Sequence, residues 1–104
     1  MTNRNRNSVQ ELQGQFIDKI LLFMKENEYN MVEFRNAFRV YINEESYDGD
    51  VIQVPIAARY LYADGNLGTE DQDVILKELS IYELAYMLDV LEGYEFIVVD
   101  EVEN

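Results

Sequence analysis

Asp73–Asp100 reads DVILKELSIYELAYMLDVLEGYEFIVVD, an amphipathic helical pattern set between two β-branched runs. Ser80 is a good N-cap and Glu83 follows three residues later, so the pair predicts a capping box that satisfies two free backbone donors. Ile81, Leu84, Leu88 and Leu91 recur at helical spacing, and Gly93 offers a left-handed stop. The flanking runs, 74–79 and 95–99, read as strands. A helix with one apolar stripe must bury it, and a sheet containing these two strands is the nearest partner.

Immediately upstream, ADGNLGTEDQD (63–73) is a turn-rich loop with two glycines and four acids. Before it, 51–62 reads as a strand carrying Ile52, Val54, Ile56, Ala58, Tyr60 and Tyr62 on one face. Pro55 cannot donate to a ladder, which places it at an edge or a bulge. EESYDGD (44–50) holds an Asp-Gly turn signal and predicts a hairpin with the segment before it. That segment, 31–43, fits two periods. Met31, Phe34, Phe38 and Tyr41 match a helix capped by Asn30, whereas Val32, Phe34, Phe38, Val40 and Ile42 share one side of a strand. Glu33, Arg35, Arg39 and Asn43 fall on the other side, and this alternation favours the strand.

At the N-terminal end Ser8 and Glu11 form a second capping-box pattern. Val9, Leu12, Phe16, Ile20, Phe23 and Met24 mark one helical face, widened by Ile17 and Leu21, which predicts a helix over about 9–27. Residues 1–7 read as a disordered arm, 8–99 as a single domain and 100–104 as an acidic tail. The order is α-β-β-β-α-β. The expected fold class is α+β, a two-layer sandwich with a mainly antiparallel sheet and two helices on one face.

At 104 residues the chain is long enough for one core, and an apolar content of 48% argues against wholesale disorder. There is no apolar segment before Ser8 to serve as a secretory signal, and Ile20–Met24 is far too short to cross a bilayer. A soluble, cytoplasmic protein is the expectation. With no cysteine and no histidine, the chain lacks disulfides, thiolate or imidazole metal sites, and Ser-His-Asp or Cys-His nucleophiles. None of the three lysines follows a glycine-rich loop, so there is no P-loop. No enzyme activity, metal or cofactor is expected.

Charge is the informative quantity. The net charge is −13, and it is unevenly placed. Residues 1–43 hold six basic and five acidic side chains, whereas 44–104 hold sixteen acids against Arg59 and Lys77. Such a balance repels nucleic acid and anionic membrane and attracts basic protein surfaces. The candidate partner-binding residues are Glu44, Glu45, Asp48 and Asp50 with Tyr47 in the first turn, and Asp64, Glu70, Asp71 and Asp73 in the second. Tyr82, Glu83, Tyr86 and Asp89 form an acidic-aromatic patch on the last helix, since interfaces favour tyrosine anchors. The plain alternative for all of these is solvated surface and half-packed rings. A calcium loop starting at Asp64 fails, because its sixth and twelfth places hold Thr69 and Ile75 instead of glycine and glutamate.

The α-β-β-β-α order resembles the double-stranded RNA-binding domain. That family holds phosphates with a basic helix start and a basic loop, whereas here the helix begins SIYELAY and the loops are acidic, so the resemblance stops at topology. In size and charge the chain resembles the small acidic phage inhibitors of restriction or CRISPR nucleases, and the immunity proteins that neutralise nuclease toxins. That likeness implies a nucleic-acid mimic that docks on a basic enzyme as a monomer or homodimer. The alternative is an assembly protein working through tyrosine and hydrophobic contacts, for instance as a homo-oligomer.

Overall fold

The structure is a computed structural model that describes residues 4–99, with side chains from Ser8 onward. In chain order it comprises α1 (Arg4–Glu26), β1 (Met31–Glu45), β2 (Val51–Tyr62), β3 (Asn66–Thr69), β4 (Val74–Ile75), a 3-10 turn (Leu76–Glu78), α2 (Ile81–Glu92) and β5 (Phe96–Val98). The strands pair antiparallel in one sheet of order β4-β3-β2-β1-β5. Both helices pack together on one face of it, as the α+β sandwich predicts. A single core joins Ile20 and Met24 of α1, Leu84, Met87 and Leu91 of α2, and Val32, Val40, Leu61 and Leu67 of the sheet, all fully buried. No helix among the described residues is long and apolar enough to cross a membrane.

The segment 31–43 is strand, and the strand extends to Glu45. The capping box of α2 also forms: Glu83 N–H donates to Ser80 Oγ at 3.2 Å and Ser80 N–H donates to Glu83 Oε1 at 2.9 Å. Other local expectations are corrected. α1 begins at Arg4, so Ser8 lies inside the helix instead of capping it, and residues 4–7 continue the helix into the segment read as an arm. The acidic tail, 100–104, lies outside the described residues, as do residues 1–3. Gly93 is right-handed (φ −86°) and the left-handed stop is Tyr94 (φ 57°). Tyr94 N–H bonds Leu91 O and Glu95 N–H bonds Val90 O, a Schellman closure that α1 repeats with Glu28 (φ 59°). A non-glycine residue there is strained, and the Tyr94 ring stacking on Phe96, centroids 5.8 Å apart, offsets part of that cost.

The loop 63–73 contains β3, and the strand expected over 74–79 is only β4 followed by the 3-10 turn. Val74, Leu76 and Leu79 are all buried, a spacing of two and then three that leaves the strand period. Gln13 of α1 fixes this geometry by donating its Nε2 to Lys77 O and Leu79 O, at 3.1 and 2.7 Å.

The β2 face also differs from the sequence reading. Ile56 and Ala58 point into the core, but the register slips between Ala58 and Tyr60, and Leu61 becomes the next buried residue. This bulge turns Tyr60 and Tyr62 to the helix-free side. Tyr60 faces Gly68, and a Cβ on Gly68 would sit 3.2 Å from the Tyr62 ring and 3.3 Å from Tyr60 Cβ. Gly68→Val is therefore expected to cost about 1–2 kcal/mol by displacing the Tyr62 ring. Chemical denaturation would measure it, and an unchanged midpoint would mean that the ring does not depend on that gap.

Candidate acidic interface

The hairpin of β1 and β2 projects beyond the rest of the sheet. β5 pairs only with Val32–Phe34 of β1, and β3 pairs only with β2 from Ala58 to Leu61. From Arg39↔Ala57 to Glu45↔Val51 the two strands pair with each other alone. Seven residues at the usual strand rise make an arm about 23 Å long. Its tip is closed by Ser46 N–H to Asp50 O at 2.7 Å and Gly49 N–H to Ser46 O at 2.9 Å, with Gly49 at φ 90°, so the Asp-Gly signal performs the turn assigned to it.

Both long borders of the arm are modified. Tyr41 N–H points away from β2 and donates to Glu83 Oε2 at 2.9 Å. Pro55, opposite Tyr41, therefore directs its N–H-less nitrogen to the other, unpaired border. Glu83 thus uses one oxygen to cap α2 and the other to hold the arm over the helix. Phe38 adds an edge-on contact to Tyr86 with centroids 5.1 Å apart.

The predicted loop residues divide into three groups. Glu44, Glu45, Asp48 and Asp50 surround the tip, where Tyr47 is fully exposed. Glu70, Asp71 and Asp73 follow β3 and lie beside the base of the arm, where Arg39, Pro55, Ala57, Glu70 and Asp71 line a shallow hollow of about 380 Å³. These seven carboxylates belong to one end of the sheet and are exposed. None of them has a side-chain hydrogen bond or ion pair among the described residues. Asp64 belongs elsewhere. It sits in the β2–β3 turn at the opposite end, where its oxygens accept from Asn66 N–H and Nδ2, so its role there is to shape the turn.

The helix patch is split in the same way. Tyr82 is 82% exposed and Asp89 is exposed, whereas Tyr86 is half covered against Phe38 and Glu83 is committed to the capping box and the arm. The sequence marks Glu83 as a cap, but its second bond needs the arm to lie across the helix, which no local pattern announces.

No polar or charged residue is buried among the described residues, and no three acids there are placed to hold a metal ion. The acids of the arm tip and the 70–73 loop form a spaced, solvent-facing array of charge. Compared with known proteins, the chain matches no family model, and no curated protein or solved structure is significantly similar to it.

Proposed function

We propose that this chain is a non-enzymatic binding protein that acts in the cytoplasm and lays its acidic arm and the neighbouring 70–73 loop on a basic partner surface. The best-fitting partner is the nucleic-acid channel of a nuclease. The observation that carries the reading is the seven exposed, unpaired carboxylates at one end of the sheet. Four surround the tip of the arm and three flank its base, so the two sets are separated by roughly the 23 Å length of the arm, a span that an extended polyanion also covers. Self-repulsion among these acids costs stability, so solubility alone gives no reason for them.

The test is a binding measurement against purified nucleases with basic channels at about 50 and about 300 mM salt, with duplex DNA as competitor. The expected result is capture that DNA displaces and that weakens as salt rises. Asp48→Lys with Asp50→Lys, and Glu70→Lys with Asp71→Lys and Asp73→Lys, should each slow association about tenfold or more. Binding indifferent to salt and to both sets of reversals would refute the reading.

A further inference from the structure

We propose a second docking surface, the helix-free face of the sheet around Glu33, whose occupant is a protein surface that presents an arginine among apolar side chains. This surface is separate from the acidic arm, and the inference does not depend on the arm's role.

Cross-strand pairing places the face. Glu33 of β1 lies between Tyr60 of β2 and Ile97 of β5. Met31 lies opposite Tyr62, and Val99 N–H bonds Met31 O at 3.0 Å, so Val99 extends the same row. Neither helix covers these residues, because both pack on the opposite face with Val32, Leu61 and Leu67. Ile97 is 45% exposed and Tyr60, Tyr62, Met31 and Val99 are half-buried. The result is a mainly apolar surface with one carboxylate at its centre.

That carboxylate identifies the occupant. Glu33 is half-buried and has no hydrogen bond or ion pair among the described residues. Its cross-strand neighbours are a ring and an aliphatic chain, and Arg35, two residues along β1, is exposed without pairing to it. Covering the face with purely apolar groups would strip water from an unpaired charge, which is strongly unfavourable. A cation must arrive with the cover. Arginine suits the site better than lysine, since its planar fork binds a carboxylate bidentately and stacks on a tyrosine ring. A second copy is the poorer occupant: a two-fold contact on this face would set Glu33 close to its own mate, between molecules each carrying −13.

The test is an NMR titration of the full-length protein with acetyl-Leu-Arg-Leu-Arg-Leu-amide, and with the same peptide carrying glutamine for arginine. The expected result is shift changes centred on Glu33, Tyr60 and Ile97, with the glutamine peptide about tenfold weaker. Glu33→Gln should weaken the arginine peptide by a similar factor and leave the glutamine peptide unchanged. An arginine peptide that perturbs nothing, or only 44–50 and 70–73, overturns the proposal. It is also overturned by light scattering that shows a dimer formed through this face, and by contacts from residues 100–104 to Tyr60 or Ile97 in the free protein. Loss of this site with salt-sensitive nuclease binding intact would leave the acidic-arm reading standing.

Discussion

Glu83→Ala is expected to lower stability by about 2 kcal/mol, because one carboxylate accepts two backbone N–H groups that are far apart in sequence. Hydrogen bonds to a charged acceptor are worth about 1.5–3 kcal/mol each when well shielded, and the half-exposed position of Glu83 reduces the pair to that total. For a domain of this size the loss corresponds to a melting point about 8–16 °C lower. Amide exchange separates the two bonds. Glu83→Ala should accelerate exchange at both Ser80 and Tyr41, whereas Ser80→Ala, which removes only the Oγ acceptor at the helix start, should leave Tyr41 protected and cost about 1 kcal/mol. Equal protection of Tyr41 in wild type and Glu83→Ala would show that the carboxylate does not hold the arm.

A larger loss, about 3–4 kcal/mol, is expected for Leu61→Ala. Leu61 is fully buried at the middle of the sheet, with Val32 on one side and Leu67 on the other, both fully buried as well. The flanking strands are held by ladder bonds and cannot close on the space, so the lost transfer energy is joined by a cavity term. The denaturant midpoint should fall sharply while the slope of the transition stays constant. Leu61→Met, which nearly conserves volume, should cost under about 1.5 kcal/mol. If both substitutions cost the same, the cavity is not the cause.

The architecture was legible because several local signals agreed: the Ser80–Glu83 box, the leucine stripe behind it, the Asp-Gly turn and the polar alternation of 31–43. What escaped was non-local. The parity of β2 changes at a bulge between Ala58 and Tyr60, and nothing in VPIAARYLY distinguishes that slip from a regular strand. Residues 66–69 carry one buried apolar side chain, Leu67, and two of their neighbours are a glycine and a turn-forming asparagine, so the pattern reads as loop. Pairing with β2 makes it a strand. The helix stop moved to Tyr94 because the ring packing on Phe96 offsets a backbone conformation that local preference assigns to glycine. Among the site residues, exposure of the arm and of the 70–73 loop was readable from charge and turn chemistry. The commitment of Glu83 to Tyr41 was not, since it depends on where a distant backbone group lies in space. That of Asp64 is a local bond to the residue two places on, a turn chemistry that the charge reading passed over.

A two-stranded finger with bare sides is an aggregation hazard, since each side offers a template on which another chain can add a strand and nucleate a fibril. In this molecule one side lacks a donor at Pro55 and the other has a donor already taken by Glu83. Both features work against strand addition at the middle of the finger, and Pro55→Thr combined with Glu83→Ala is expected to raise self-assembly, measured by light scattering.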